Sequence, residues 1–287
     1  MRVLLTGAAG YIGAHVWIEL HALGFDVVGL DNLSRSSPVV LDRLTSLIGK
    51  LKFERVDVCD EQALDRVFEQ HRPDVVVHAA AYKIAGESVA KPVEYYRNNL
   101  GGLGTLVDVM RRHECHKLVF CSSAAVYAET SDLPISEDSW QDPTSPYGRT
   151  KLLGEIMLND VLRSSSHWRM VVLRYFNPLG AHVSGLIGED CRGSPSNLMS
   201  HLGSVALGQR SQLQVFGGEY ATKDGTCERD FVHVQDLAEA TALAAKSAFE
   251  SPQSFTVNIG SGVGTSVLEV VKEFGRQCGR EIPYVLE

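Results

Sequence analysis

The chain of 287 residues has no long apolar run and no recognisable pairing of its cysteines. Its six cysteines show neither Cys-x-x-Cys spacing nor matching histidines, so we predict free thiols, no disulfide framework and no metal site. These residues are Cys59, Cys115, Cys121, Cys191, Cys227 and Cys278. No run is long enough to cross a bilayer, and Gly7 interrupts the N-terminus too early for a signal peptide. The expected compartment is therefore the cytoplasm, with no membrane partner.

Positive charge is also scarce. The 27 lysines and arginines are outnumbered by 35 aspartates and glutamates, which gives a net charge of -8 without long acidic runs. Such a balance favours solubility over nucleic-acid binding. No internal repeat or low-complexity tract is visible, and 44% hydrophobic residues in this length are typical of one large globular domain with a smaller lobe.

Short β-branched runs alternate with helical-period segments over the first 175 residues, which indicates a parallel sheet covered on both faces. The predicted strands are 2–6, 26–30, 51–57, 74–79, 116–121 and 169–175. Beyond Asn177 the alternation fades, and we predict a strand at 213–216 with helices at 197–208, 236–249 and 266–278. The fold class is thus α/β, a doubly wound parallel sheet over 1–176 with a smaller mixed α/β lobe over 177–287. The chain is expected to add further strands to the sheet near 229–234 and 255–260.

Three glycines follow the first strand and open a helix. Gly7, Gly10 and Gly13 have the spacing G-x-x-G-x-x-G. Glycine permits a tight turn and lets the backbone approach a pyrophosphate, while the helix N-terminus offers unpaired N–H groups to anionic oxygens. In this context the loop predicts a Rossmann-like dinucleotide site, although a glycine string by itself is also compatible with a plain turn.

Carboxylates end the next two strands. Asp31 lies 18 residues past Gly13, where a carboxylate accepts hydrogen bonds from a ribose diol. It would repel a 2′-phosphate, so NAD is favoured over NADP. Asp57 and Val58 follow the third strand and are predicted to meet the adenine edge, with a helix cap as the alternative for Asp57.

A second group of polar residues follows the fifth strand. Ser123 ends that strand, and Ser145 and Pro146 predict a helix start that puts Tyr147 and Lys151 on one helix face. A phenolate beside an ammonium can take a proton from a carbinol, with Ser123 bonding the reacting oxygen. The alternative is a serine-rich strand exit beside a solvated helix.

Together these features resemble the extended short-chain dehydrogenase/reductase family, and within it the UDP-glucose 4-epimerases, nearly continuously from residue 1 to residue 287. The motifs that carry the resemblance are Thr6-Gly7-Ala8-Ala9-Gly10-Tyr11-Ile12-Gly13, Leu30-Asp31-Asn32-Leu33, Gly86-Glu87-Ser88, Tyr95-Tyr96-Arg97-Asn98-Asn99, Ser145-Pro146-Tyr147-Gly148, Leu173-Arg174-Tyr175-Phe176-Asn177-Pro178 and Asp224-Gly225-Thr226 followed by Arg229-Asp230.

The resemblance implies roles for individual residues. Those implied to contact NAD are Tyr11, Ile12, Asp31, Asn32, Asp57, Val58, Lys83, Asn98, Tyr147, Lys151 and Phe176. Ser123 and Tyr147 would flank the sugar, with Tyr147 as the base and Lys151 holding the nicotinamide ribose. Those implied to bind the UDP-sugar are Ser123, Asn177, Asn197, Leu198, Gln214, Phe216, Arg229 and Val267.

The implied reaction is the reversible C4 epimerisation of a UDP-hexose such as UDP-galactose, through a 4-keto intermediate and tightly bound NAD. Residues 1–176 would bind NAD and residues 177–287 the UDP-sugar. A homodimer formed by two helices per subunit, 92–112 and 147–163, is also implied.

The sequence departs from the family pattern in several places. Ala125 stands where a threonine is usual, Cys227 replaces a glycine and Phe231 replaces a tyrosine, which suggests altered affinity. The chain ends at Glu287, whereas family members continue, so the substrate lobe is expected to be incomplete. Two alternatives stay open: an NAD-binding or regulatory module without catalysis, and a nucleotide-sugar 4,6-dehydratase, against which Ala124 and Ala125 argue because neither transfers protons.

Overall fold

The computed structural model describes residues 1–130, 132–190 and 197–287. Five of the cysteines are free thiols, and Cys191, for which a free thiol is predicted, lies outside the described residues. Within the described ranges, no helix is both long and apolar enough to cross a membrane.

Seven parallel strands form the central sheet, in the order β10-β6-β5-β4-β1-β2-β3. The strands of the described chain are β1 (Arg2–Thr6), β2 (Asp26–Leu30), β3 (Lys52–Glu54), β4 (Val75–His78), β5 (Lys117–Ser123), β6 (Arg169–Tyr175), β7 (Asn177–Leu179), β8 (Leu213–Val215), β9 (Glu228–His233), β10 (Phe255–Ile259), β11 (Gly264–Ser266) and β12 (Tyr284–Leu286). The central strands are rich in valine and leucine because parallel strands are buried on both faces.

Helices cover both faces of this sheet. They are α1 (Tyr11–Ala22), α2 (Val39–Ile48), α3 (Glu61–His71), α4 (Ala85–Ala90), α5 (Pro92–Tyr95), α6 (Gly102–Arg112), α7 (Pro146–Ser164), α8 (Leu198–Ala206), α9 (Val234–Glu250) and α10 (Val267–Cys278), with a π-helical segment at Tyr96–Gly101 and a 3-10 turn at Ala124–Val126. Val3 and Leu5 pack in one apolar layer while Leu4 packs in the other, as the two-residue period of a strand dictates. The predicted doubly wound α/β fold is confirmed.

The smaller lobe contains two further sheets. β7, β9 and β11 form a three-stranded sheet, and β8 pairs with β12. Helices α8 and α10 cover a small apolar cluster that includes Leu202, Val205 and Leu213.

One expectation for the sheet is corrected. The strand predicted near 229–234 is β9, which pairs with β7 and β11 and does not join the central sheet. Its sequence, Glu228-Arg229-Asp230-Phe231-Val232-His233, is too polar for a strand buried on both faces. The strand near 255–260 is β10, which extends the central sheet beside β6.

Candidate functional site

The glycine loop between β1 and α1 leaves room for a ligand to lie close to the backbone. Gly7 has φ +69°, and a Cβ there would come within 2.7 Å of the Ala80 nitrogen. A Cβ on Gly13 would come within 2.1 Å of the Gly7 carbonyl oxygen, so the helix start can lie against the turn only without side chains. α1 begins immediately after Gly10 and presents its N-terminus to this cradle.

Asp31 lies at the carboxyl end of β2 with three protein donors already in place. Its carboxylate accepts hydrogen bonds from the backbone nitrogens of Ala9 (3.1 Å) and Leu33 (2.8 Å) and from the Ser36 hydroxyl (3.0 Å). The side chain is therefore fixed in the lining of an open cleft. Each carboxylate oxygen can accept more than one bond, so capacity for a ribose diol remains.

The cleft brings together most of the predicted adenosine residues. Gly7, Gly10, Asp31, Asn32, Val58 and Asn98 line it. The Asp57 carboxylate instead accepts bonds from the Asn32 amide and the Cys59 backbone nitrogen, both at 2.8 Å. Asp57 thus orders the cleft wall, and the cap of α3 is Asp60. Asn98 lies in the π-helical segment, an irregularity common at functional sites.

Other predicted cofactor residues lie between the two parts of the fold. The Tyr11 hydroxyl donates to the Gly180 carbonyl at 2.7 Å, and the Lys83 ammonium lies 5.6 Å from the centre of the Tyr11 ring. Lys83 also pairs with Glu189 at 2.6 Å. Ile12 packs against the apolar layer, and Phe176 follows β6, with its backbone nitrogen bonded to Ile259. The Tyr11 and Lys83 side chains therefore lie where the nucleotide loop meets the smaller lobe.

Ser123 and Tyr147 meet at the carboxyl end of β5. Ser145 caps α7 by accepting from the Gly148 nitrogen at 3.1 Å, and Pro146 occupies the first helical position, as predicted. The Tyr147 backbone nitrogen donates to the Ser88 hydroxyl at 3.1 Å, which anchors this end of the helix. Burial raises the pKa of the Tyr147 phenol, and hydrogen bonding with Ser123 opposes that rise.

Lys151 is a buried cation beside the same strand. Its ammonium donates to the Cys121 carbonyl at 2.6 Å and lies 5.0 Å from the centre of the Phe120 ring. Burial lowers the pKa of Lys151 to about 8. The helix face is therefore not the solvated surface of the alternative interpretation.

The predicted UDP-sugar residues are spread over the smaller lobe. Asn197 caps α8, and Leu198 and Val267 both pack against the apolar cluster between α8 and α10. The structure therefore brings Leu198 and Val267 to the same cluster. Buried and exposed side chains alternate along β8, so Gln214 points away from this cluster. Its amide donates to the Glu287 carboxylate at 3.0 Å.

Three further predicted positions lie on other surfaces of the lobe. Asn177 on β7 donates to the Asp230 carbonyl at 3.1 Å. Arg229 on β9 is exposed and contacts the neighbouring Glu228 carbonyl at 3.1 Å, and the Phe216 ring is also exposed. These side chains are not packed together with Leu198 and Val267.

The sequence interpretation missed several residues of the site. Arg35 lies in the cleft with its guanidinium 4.7 Å from the centre of the Tyr82 ring, and it pairs with Glu87 at 2.9 Å. Ser36 orders Asp31. Their position in the sequence could have indicated them, because Arg35 and Ser36 both lie within five residues of Asp31 in the same loop. Ser88 belongs to the Gly86-Glu87-Ser88 motif, but the sequence does not indicate its contact with Tyr147.

Comparison with known proteins agrees with this architecture. Residues 3–260 match the NAD dependent epimerase/dehydratase family. The chain belongs to this family. It is 47% identical to a UDP-glucose 4-epimerase of Bacillus subtilis (strain 168), over 99% of this chain and 84% of the relative. A UDP-glucose 4-epimerase of Mus musculus is 44% identical over the same shares of the two chains.

Solved structures of family members are similar over the whole chain. The UDP-glucose 4-epimerase of Bifidobacterium longum, in complex with NAD+ and UDP, superposes with a TM-score of 0.96 at 45% identity, covering 100% of this chain and 86% of that one. The enzyme from Stenotrophomonas maltophila, with bound NAD and formylated UDP-arabinopyranose, gives a TM-score of 0.97 at 40% identity, with the same coverage. The predicted family is confirmed.

Proposed function

We propose that the chain interconverts UDP-galactose and UDP-glucose by reversible epimerisation at C4 of the sugar, using tightly bound NAD. The observation that carries this proposal is the meeting of Ser123, Tyr147 and Lys151 at the end of β5, in a member of the epimerase family. We divide the chain into an NAD-binding part, 1–176, and a UDP-sugar lobe, 177–287, although β10 of the second part belongs to the central sheet.

The residues of the cleft fit a dinucleotide. The cradle that a Cβ on Gly7 or Gly13 would fill gives a pyrophosphate access to the N-terminus of α1. Asp31 would accept bonds from the adenosine ribose, and Val58 and Asn98 would border the adenine. The Lys83 ammonium and Tyr11 would contact the phosphates and ribose from the lobe side.

In the proposed mechanism Tyr147 acts as the base. Its phenolate takes the proton of the C4 hydroxyl, and Ser123 donates a hydrogen bond to the same oxygen. Lys151 holds the nicotinamide ribose, and its positive charge favours the phenolate. NAD, when bound, would supply the acceptor for the C4 hydride and the source of the hydride for the return step. Tyr147 then gives the proton back to the oxygen of the inverted carbon.

Inversion requires the sugar to turn while the nucleotide stays in place. The proposed UDP contacts, from Asn177 to Val267, come from the lobe, whereas the reacting side chains come from β5 and α7. An arginine such as Arg229 can bond a diphosphate in two places at once. Firm binding of the diphosphate with few contacts to the hexose leaves binding energy for the transition state.

Incubation of the purified full-length protein with UDP-galactose, without added NAD, tests the proposal. We expect UDP-glucose to form, because the cofactor copurifies. A 4-keto-6-deoxy sugar would instead identify a dehydratase, and an NAD-containing protein without turnover would identify a binding module. The Tyr284→Phe variant, which removes an exposed phenol from β12, serves as the matched control for Tyr147→Phe.

We also propose a homodimer and a cytoplasmic location. Apolar side chains are exposed along the two predicted dimer helices, including Val93 (67%) on α5 and Leu153 (39%) and Ile156 (48%) on α7. α5 and α7 lie against each other, and exposed apolar patches are typical of interfaces. The free thiols of the described cysteines favour a reducing compartment.

A further inference from the structure

A buried ion pair lies beneath the reaction end of the cleft. Glu155 Oε2 on α7 and Arg174 Nη2 on β6 are 2.7 Å apart, and the two side chains are only 6% and 5% exposed. Arg174 donates to both carboxylate oxygens, the two-pronged geometry of strong guanidinium pairs. Ser122 also donates its hydroxyl hydrogen to Glu155. One carboxylate therefore joins α7 to both β5 and β6.

Further hydrogen bonds connect the ion pair to the segment after β5 and to β10. Arg174 Nη1 donates to the Tyr127 hydroxyl and to the Glu137 carbonyl, both at 2.8 Å, and the Tyr127 hydroxyl donates to Asn258 on β10 at 2.6 Å. Ser122 and Tyr127 flank the turn that follows Ser123. The network thus fixes the end of β5 relative to α7.

Glu155 also faces the catalytic helix positions. It lies one turn beyond Lys151 and two turns beyond Tyr147, on the same face of α7. A shift of α7 along β5 would break the Glu155 contacts and would move both catalytic side chains by the same distance. The register of the helix is therefore held at its middle by Glu155.

The charged and titratable groups around Lys151 also point to Glu155. His78 on β4 is neutral, because burial lowers its pKa to about 3, and burial raises the pKa of the Cys121 thiol to about 11. The Tyr175 hydroxyl on β6, which donates to that thiol, is neutral as well because its pKa is raised by burial. Among the described groups around the Lys151 ammonium, Glu155 carries a negative charge that its partner Arg174 partly offsets, and Tyr147 carries one when its phenol is ionised.

The effects on the pKa of Lys151 agree with a negative charge on Glu155. Burial lowers the pKa of Lys151 to about 8, and Cys121 and Glu155 act in the opposite direction. A thiol whose pKa is about 11 is uncharged at pH 8, so the carboxylate is the group that acts. Without that charge, burial would favour the neutral amine.

We propose that Glu155 is a positioning residue of the epimerase reaction: its network holds α7 in register with the end of β5, and its charge keeps the buried Lys151 ammonium protonated. This inference rests on the proposed roles of Tyr147 and Lys151. Loss of the Lys151 proton would remove the positive charge that favours the Tyr147 phenolate.

Two substitutions separate charge from shape. Glu155→Gln keeps the size, removes the charge and replaces one acceptor oxygen with an N–H donor, whereas Glu155→Asp keeps the charge and both acceptor oxygens and shortens the side chain. The first measurement is an ultraviolet difference titration of the Tyr147 phenolate, taken against the same protein carrying Tyr147→Phe. The second is the pH profile of kcat, with the NAD-containing full-length protein in both experiments.

We expect Glu155→Gln to move the Tyr147 ionisation to higher pH and the alkaline limb of the kcat profile to lower pH. Its kcat at pH 8 should fall on the order of tenfold relative to its value near neutrality. Glu155→Asp should lower kcat without moving either curve. The matched control is Asp160→Asn, which removes an exposed carboxylate of α7 that lies 3.9 Å from Arg163, and it should leave both curves in place.

A folded Glu155→Gln protein with wild-type curves would overturn the inference, and so would equal shifts in the Gln and Asp variants. If Glu155→Gln does not fold, Glu155→Asp still tests the register: a kcat equal to that of the wild type in this shortened variant would refute the inference. A wild-type protein without turnover would refute the proposed reaction, while the phenolate titration would still test Glu155.

Discussion

Gly148→Ala is the substitution that most directly tests the geometry of the candidate active site. Gly148 follows Tyr147 in the first turn of α7, and it faces the 3-10 turn that follows Ser123. A Cβ at this position would lie 2.3 Å from the Ala125 carbonyl oxygen and 2.8 Å from Pro143 Cβ. The first contact is with backbone, so no rotamer change can relieve it.

The size of the effect follows from that distance. Ordinary contact begins near 3.4 Å, so the start of α7 must move away from Ala125 by about 1 Å. A displacement of this size separates Tyr147 from Ser123 and costs roughly 10²-fold in turnover. Overpacking costs about 1–3 kcal/mol of stability, of which the better helix propensity of alanine returns up to about 1 kcal/mol. The protein should therefore fold, with a large loss of activity.

The assay combines the initial rate of UDP-galactose conversion, the NAD released on denaturation and the thermal midpoint. Gly203→Ala is the matched control, because Gly203 lies within α8 and a Cβ there meets nothing within 4 Å. This control should be slightly stabilised and fully active. A folded, NAD-loaded Gly148→Ala protein whose kcat stays within threefold of wild type would refute the reasoning.

The remaining predictions concern the cofactor, the base, acid stability and assembly. Tyr147→Phe should lose on the order of 10²–10⁴-fold in turnover while retaining NAD, and a near-normal rate would defeat its assignment as the base. Asp31→Ala should weaken the preference for NAD over NADP in a cofactor titration, and an unchanged ratio would count against the ribose role. His78 has a folded pKa of about 3 against 6.5 unperturbed, so the unfolded chain takes up a proton that the folded chain refuses. Stability contributed by this histidine is present above pH 6.5 and falls by about 1.4 kcal/mol per unit as the pH drops towards 3, a slope that His78→Gln should remove from acid unfolding curves. Sedimentation should give a dimer through 92–112 and 147–163, and a monomer at all concentrations would remove that proposal.

Features set by local chemistry could be predicted from the sequence. The strand 169–175 has the predicted bounds. A short run of β-branched and apolar residues is typical of a buried parallel strand. The start of α7 could be predicted from Ser145 and Pro146, since a cap and an N1 proline act within one turn. The position of Asp31 followed from its distance to Gly13.

Features set by contacts between distant segments could not be predicted. β9 was expected in the central sheet, yet its partners β7 and β11 are chosen by the fold of the lobe. The pairing of Glu155 with Arg174 joins a helix to a strand, and although Arg174 belongs to one of the family motifs, nothing in its own segment indicates its partner. The Lys83 contact with Glu189 likewise spans 106 positions of the chain.

The three donors around Asp31 bear on how long a nucleotide stays bound. A carboxylate free to rotate would lose on the order of 0.5–1.5 kcal/mol of side-chain freedom when a ligand immobilises it. In this protein Ala9, Leu33 and Ser36 have already restricted that motion during folding. In the proposed binding mode the ribose would therefore meet a preorganised acceptor, and more of its hydrogen-bond energy would go into slow dissociation. An enzyme that reuses one cofactor molecule over many turnovers needs that slow release.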